Sequence, residues 1–417
     1  MSDAPRLERR LSTGDAVVLG LGSMVGAGVF AAFAPAAAAA GSWLLVGLVL
    51  AAGVAYCNAT SSAQLAAQYP SSGGTYLYGR ERLGEWWGFL AGWAFVVGKT
   101  ASLAAMALTF AAYAVRDDWQ RPVAVVAVLS IAGVNYRGIT RTAQLTRVIV
   151  SVVLAALAVG VTVSLLGSDP SLARLTTGSD EVTLRGVLQS AAVLFFAFAG
   201  YARIATLAEE VRDPERTIPR AVTVALSLAV LLYALVGATV LMVLGPENVA
   251  ATAVPLVEAV ETTSWTWASP IIRLGAAAAS LGAMLALTAG VGRTALAMGR
   301  NGDLPRTFAA VHPRFHVPHH AEVAVAAVVC VLVLTVDLRG AIGLSSFAVL
   351  LYYFVANVAA TTQDSGHRRY PRFLQVAGAA GCLTLAVTVP ATSLLSGLVV
   401  LAVGLGYRFW RVRHAGK

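Results

Sequence analysis

The sequence predicts an all-α polytopic membrane protein of twelve transmembrane helices, and three observations predict it. The 417 residues are 58% hydrophobic and only 12% charged, with a mean hydropathy of +0.73, whereas a soluble domain carries about a quarter charged residues. Twelve stretches are apolar for close to the ~20 residues that a helix needs to cross hydrocarbon. Arginines gather in alternate loops, as the positive-inside rule requires.

In chain order the expected spans are roughly 14–36, 42–66, 85–115, 121–136, 143–167, 186–209, 220–244, 270–298, 319–337, 340–361, 373–390 and 393–411. The segment 1–13 is polar and basic and has no small-residue cleavage site before the first span, so it reads as a cytoplasmic N-terminus rather than a cleavable signal. Arg80 and Arg82 follow the second span, Arg137 and Arg141 the fourth, and Arg212, Arg216 and Arg220 the sixth. Arg300, Arg306 and Arg314 follow the eighth, and Arg368, Arg369 and Arg372 the tenth. The tail, 412–417, closes a C-terminal run that holds Arg408, Arg411, Arg413 and Lys417. An even number of spans with this bias predicts a multi-pass protein of the cytoplasmic membrane with both termini inside. The loop 245–269 carries an amphipathic piece, Val254 to Val260, and ends in Trp265 and Trp267, which read as interfacial belt residues. The net charge of +9 thus belongs to topology and not to nucleic-acid binding. Cys57, Cys330 and Cys382 all fall inside apolar spans and read as small buried hydrophobes, not as a disulfide framework or a metal site.

Two spans are interrupted. The first reads Gly20-Leu-Gly22-Ser-Met-Val-Gly26-Ala-Gly28-Val-Phe30, with Pro35 following, and the sixth reads Phe195-Phe-Ala-Phe-Ala-Gly200-Tyr-Ala-Arg203. Irregular backbone at membrane depth is tolerated only where it is buried in protein or lines a watery cavity. Small residues also serve close helix packing, which is the alternative role for either glycine run alone. The pair, five spans apart, is what an inverted repeat of five plus five spans produces, and it points to a transporter binding site. The repeats are expected at about 14–167 and 186–361, with two further helices over 362–411.

Four segments resemble the amino acid–polyamine–organocation (APC) permeases: Gly22 to Phe30; Tyr69-Pro-Ser-Ser-Gly73-Gly74-Thr-Tyr76; Phe195 to Ala221; and Arg293-Thr-Ala-Leu-Ala-Met-Gly-Arg300-Asn-Gly-Asp-Leu-Pro305. The resemblance runs from about residue 14 to the end of the tenth span. It implies a LeuT-like fold with discontinuous first and sixth helices and transport of an amino acid or related amine by alternating access. It also implies a site. Backbone N–H groups of Gly26, Ala27 and Gly28, next to Val25, would hold a substrate carboxylate, as a half-helix start does. Freed carbonyls near Met24, Phe196 and Ala199, beside Gly200, would hold the ammonium. Phe196 stands at the family's gating aromatic, and Tyr201 is a second gate candidate.

The departures from the family carry information. Where members with cationic substrates often have an acid after the sixth-helix Gly–aromatic pair, this chain has Ala202 followed by Arg203. Arg203 either adds positive charge to the pocket or pairs with Glu210, two helical turns on, as an inner gate. The span-five lysine of some proton-coupled members aligns with Ser151, whose hydroxyl suits a sodium site. Lys99 and Lys417 are the only lysines among 30 basic residues, and Lys99 falls near the middle of the third span. A charge at bilayer depth costs at least about 2.5–3.5 kcal/mol and usually has a role, and lysine, unlike arginine, can be brought to titrate. The expectation is that Lys99 is the proton-coupling group; the alternative is a structural lysine bonded to helix-end carbonyls. Asp15, Glu209, Glu210, Glu322 and Asp337 all sit near span ends, so a di- or polyamine would meet Lys99 and Arg203 unneutralised.

Gly98-Lys99-Thr100 is not a phosphate-binding loop, because position 93 is Trp93 where that motif needs glycine. No strand–turn–helix unit surrounds Gly20, Gly22 and Gly26, so they form no dinucleotide fingerprint. His312, His316, His319 and His320 read as a solvated loop, and no Ser, His and Asp gather as a triad. The expected function is a secondary transporter of a neutral or acidic amino acid, proton-coupled, without ATP or another cofactor, working as a monomer or homodimer. Cationic amino acid or polyamine exchange is the alternative within the class. A non-transporting sensor or subunit, and a channel, are the alternatives outside it.

Overall fold

The computed structural model describes residues 12–69, 73–138, 143–176, 182–201, 204 and 211–414. Among the described residues the regular elements are helices, with no β-strand. The first helix, α1 (Thr13–Met24), starts where Ser12 and Asp15 form a capping box: Ser12 Oγ accepts from the Asp15 N–H at 3.3 Å, and the Ser12 N–H donates to Asp15 Oδ2 at 3.0 Å. Two short helices, α2 (Gly28–Ala31) and α3 (Phe33–Ala40), continue its path and end at Gly41 in the left-handed region (φ 55°). Then come α4 (Leu44–Gln68), α5 (Gly74–Leu83), α6 (Glu85–Ala114), α7 (Gln120–Tyr136), α8 (Ala143–Gly167) and α9 (Leu184–Phe198). The second half holds α10 (Pro214–Leu244), α11 (Pro246–Ala251), α12 (Pro255–Glu261), α13 (Ser269–Arg300), α14 (His319–Thr335), α15 (Leu338–Thr361), α16 (Arg372–Thr388) and α17 (Ala391–His414).

Eight helical stretches among the described residues are long and apolar enough to cross a membrane. Three shorter apolar helices, α9, α14 and α16, accompany them, and α7 covers the expected fourth span with 17 residues. Large apolar side chains such as Val49, Leu129, Leu166, Leu231 and Val403 are exposed on the outer surface. An apolar surface of that extent fits hydrocarbon and not water. The protein is therefore a multi-pass membrane protein.

Packing brings distant parts of the chain together. α1 packs on α10 and α9 on α4, while α6 packs on both α15 and α13. α13 also packs on α8, and α7 on α14. Asp15 of α1 accepts an ion pair from Arg147 of α8, and α16 covers α15 and α4. The interior is built largely of alanine, with large side chains such as Phe30, Tyr113, Phe195, Phe198, Tyr201, Tyr233 and Tyr353 filling the space between helices.

Candidate functional site

The first span is broken over residues 25–27. Val25 closes α1 with its N–H on the Leu21 carbonyl at 2.7 Å and takes φ −75° and ψ 63°, the geometry of an inverse γ-turn. That turn brings the Gly26 N–H onto the Met24 carbonyl at 2.7 Å. The chain resumes at Ala27, whose carbonyl accepts from Phe30 and Ala31. The N–H groups of Ala27 and Gly28 make no hydrogen bond among the described residues. Of the three donors expected to meet a carboxylate, two are thus unspent, and the Gly26 donor is used by the turn.

The sixth span breaks at the end of α9. The Ala199 N–H reaches back to the Phe196 carbonyl (3.4 Å) and the Tyr201 N–H to the Phe198 carbonyl (3.3 Å), in place of continued α-helical bonding. Ile204 donates to the Tyr201 carbonyl at 3.0 Å. Ala202, Arg203, Glu209 and Glu210 lie outside the described residues.

The two breaks touch, and glycine makes that possible. A Cβ on Gly28 would stand 2.6 Å from the Ala197 Cα, and one on Gly200 would run into the Ser23 carbonyl. Tyr233 of α10 fastens the two together: its hydroxyl lies 2.7 Å from the Met24 carbonyl and 3.0 Å from the Ala197 carbonyl. Tyr113 of α6 donates to the Phe30 carbonyl at 3.0 Å.

Lys99 lies on α6, is 7% exposed, and donates from Nζ to the Ala199 carbonyl at 3.1 Å. The Tyr353 hydroxyl shares that acceptor at 3.4 Å. All three carbonyls expected to hold an ammonium therefore have partners in this structure: Met24 has Gly26 and Tyr233, Phe196 has the Ala199 N–H, and Ala199 has Lys99 and Tyr353. The physical reason is that a broken helix buried in protein cannot leave a carbonyl unbonded without cost. At Ala199 the bonding group is itself an ammonium.

Tyr201 is buried and stacks on Tyr353 with ring centroids 5.0 Å apart. Phe196 is buried on a different side, among Ala31, Met284 and Ile342. The two gate candidates thus face different layers of the bundle. Ser151 is exposed at the surface of α8 and does not join the group around the breaks.

Sequence reasoning missed Tyr233, whose only signal was a phenol in an otherwise aliphatic helix, and Tyr353, which stands between Tyr352 and Phe354. It also missed a polar network beside the Tyr201–Tyr353 pair. Asn357 donates to Asn58 Oδ1 at 2.6 Å and accepts from the Ser61 hydroxyl at 2.7 Å. The Cys382 thiol points to Asn58 Oδ1 at 3.2 Å, so this cysteine is a hydrogen-bonding group as well as a packing one.

A second polar centre lies at the C-terminal end of α13. Asp303, buried, accepts from the Tyr76 hydroxyl at 2.7 Å and from Arg80 at 3.3 Å, and forms an ion pair with Arg408. Burial, and then the adjacent carboxylate, hold the Tyr76 hydroxyl well above the ordinary phenol range. Tyr76 is thus a permanent donor to Asp303.

The family model for "Amino acid permease" matches residues 11–407. The chain belongs to the amino acid permease family. An uncharacterized transporter of Mycobacterium tuberculosis is 56% identical to it over 402 residues, 96% of this chain and 90% of that protein. The branched-chain amino acid permease BcaP of Bacillus subtilis is 25% identical, over 99% of this chain and 94% of BcaP. The chloroplastic cationic amino acid transporter 7 of Arabidopsis thaliana is 26% identical, over 84% of this chain and 65% of that protein. The permease is a transporter of the APC superfamily and not an enzyme, and its substrate is a small molecule of the amino acid class.

Proposed function

We propose that the permease carries a neutral or acidic amino acid across the cell membrane by alternating access, coupled to protons through Lys99. The observation that carries this reading is the Lys99 ammonium on the Ala199 carbonyl, inside the sixth-span break and next to the first-span break. A substrate ammonium seeking that carbonyl meets a charge of its own sign. At an effective dielectric near 20, two such charges about 4 Å apart repel by about 4 kcal/mol. Substrate entry and the charge on Lys99 are therefore linked, which is the requirement for coupling. The unspent N–H groups of Ala27 and Gly28 are the matching anion site for the carboxylate.

The same arithmetic selects the substrate. Among the described residues, Lys99 is the one charged side chain bonded to either break. Among the described residues no carboxylate there would receive a second ammonium. The branched-chain amino acid permease BcaP, matched over 94% of its own length, is in keeping with this choice; three relatives named for cationic amino acids are matched over 59–65% of theirs.

We read twelve spans with both termini cytoplasmic, on the arginine bias of the loops, and the helix pairings support a LeuT-like repeat of five plus five within them. Let the ten core spans be α1–α3, α4, α6, α7, α8, α9, α10, α13, α14 and α15. Exchanging each span for the one five further on turns the α1–α10 pairing into α9–α4, and the α6–α15 pairing into α13–α8. All four pairings occur. Partner exchange of this kind is what inverted halves produce.

Thermal-shift titration and proteoliposome uptake against a panel of amino acids and amines test the reading. A neutral or acidic amino acid should stabilise the protein saturably and be taken up under an imposed proton gradient. Lysine, arginine and putrescine should bind at least about tenfold more weakly, the factor that corresponds to about 1.4 kcal/mol. Proton-driven putrescine uptake without uptake of any neutral or acidic amino acid overturns the proposal.

A further inference from the structure

At the end of the molecule where α5, the C-terminus of α13 and the last helix α17 meet, the surface opens into a cavity of about 700 Å³. Five arginines line it: Arg80, Arg300, Arg306, Arg408 and Arg411. Two carboxylates, Glu85 and Asp303, face them. These two are already engaged, because each is paired with both Arg80 and Arg408. Arg411 gives one N–H to the Tyr407 hydroxyl at 2.8 Å. The side chains of Arg300 and Arg306 form no hydrogen bond or ion pair among the described residues. The cavity thus holds a surplus of positive charge that its own acids do not cancel.

Two further features separate this cavity from an ordinary basic loop. Arg408 is 5% exposed, yet its Nε–H has no acceptor, and a buried donor without a partner calls for one. Exposed tryptophans stand close to the lining arginines: Trp86 against Arg408, and Trp410 next to Arg411 in the chain. Trp86 is 44% exposed with the Arg408 guanidinium 5.0 Å from its ring, and Trp410 is 58% exposed. Exposed tryptophans mark the headgroup level. Below them α17 presents exposed Val399 and Val403, a surface suited to acyl chains.

We propose that this cavity binds a phosphate-bearing group, with the headgroup phosphate of an anionic lipid as its source. Guanidinium pairs match phosphate oxygens bidentately, and the unpaired arginines supply charge where the phosphate of a lipid in the adjoining leaflet lies. Because Arg408 belongs to the last helix and Arg80 and Asp303 to the core, an occupant would also tie α17 to the bundle.

The test uses the full-length protein in nanodiscs of phosphatidylcholine alone or of equimolar phosphatidylcholine and phosphatidylglycerol, and in phosphatidylcholine with added inorganic phosphate. The melting midpoint of the wild type is compared with that of the R300Q/R306Q/R411Q triple variant and of Arg306→Gln alone. All three substitutions replace side chains that are exposed or half-buried, so the midpoints in pure phosphatidylcholine should coincide. Phosphatidylglycerol should raise the wild-type midpoint saturably. Its apparent affinity should fall roughly fivefold per arginine removed, on the order of a hundredfold in the triple variant. A response to phosphatidylglycerol but not to inorganic phosphate places the source in the leaflet. An equal response to both, lost in the same variants, keeps the phosphate site and places its source in solution. No response to either, or a response that the triple variant retains, overturns the proposal.

Discussion

Lys99 donates its ammonium to the main-chain carbonyl of Ala199, a residue one hundred positions further along the chain, at the point where the sixth span loses its helical bonding. A charge-assisted bond of this kind is roughly twice as strong as a neutral one. It also answers two needs at once: a buried cation needs an acceptor, and a buried broken helix needs a donor.

Replacing this lysine separates tethering from coupling. Lys99→Arg keeps a cation and donors but removes a group that can lose its proton. Substrate counterflow should persist in Lys99→Arg while proton-driven accumulation disappears, and Lys99→Ala should lose accumulation as well. Proteoliposome uptake with and without an imposed pH gradient reads both. Proton-driven uptake that survives both substitutions would exclude Lys99 as the coupling group.

Tyr233→Phe removes the one hydroxyl that bridges the Met24 and Ala197 carbonyls. The phenyl ring still fills the space and the Met24 carbonyl keeps the Gly26 N–H, so the cost is that of the Ala197 carbonyl losing this donor, about 1–3 kcal/mol. A lowered melting midpoint in detergent, together with weaker substrate stabilisation, is the expected result.

Gly28→Ala and Gly200→Ala should each abolish transport, because the added methyl must push the breaks apart. Overpacking typically costs about 1–3 kcal/mol, enough to disturb the site without preventing folding. Size-exclusion profiles should remain monodisperse while uptake is lost; wild-type uptake in either variant would show that the breaks do not need this close approach.

Around Asp303 the prediction is one of contrast. Asp303→Asn leaves Arg408, 6% exposed at its side chain, without its buried counter-charge, and breaking a buried pair typically costs about 3–5 kcal/mol. Glu85 is 66% exposed, so Glu85→Gln should change stability by less than about 1 kcal/mol. Thermal denaturation of the two variants side by side measures the difference.

Ser151→Ala should leave uptake and its response to sodium unchanged, because the hydroxyl is exposed on α8 and apart from the breaks. Sodium-dependent uptake that this substitution abolishes would reverse that assignment.

Much of the site was legible because its residues violate the chemistry of their surroundings. Glycine runs in Gly20 to Gly28 and around Gly200, and a lysine in an apolar helix, stand out against a chain built to face hydrocarbon. The phenol of Tyr233 did not stand out, since tyrosine is common in such helices and its role depends on what lies opposite. The same holds for Asn58, Asn357 and Asp303, whose partners are hundreds of residues away in sequence.

The sequence by itself determined the all-helical membrane architecture, the two interrupted spans and the family, because composition, span length and local motifs are properties of neighbouring residues. Only the tertiary structure decided which donors and acceptors of the breaks are spent. Hydrogen-bond satisfaction in a buried interior depends on which helices meet, and that is not a local property. It put the Gly26 N–H on Met24, joined the breaks through Tyr233, set Lys99 on Ala199, and left Ser151 on the outer surface.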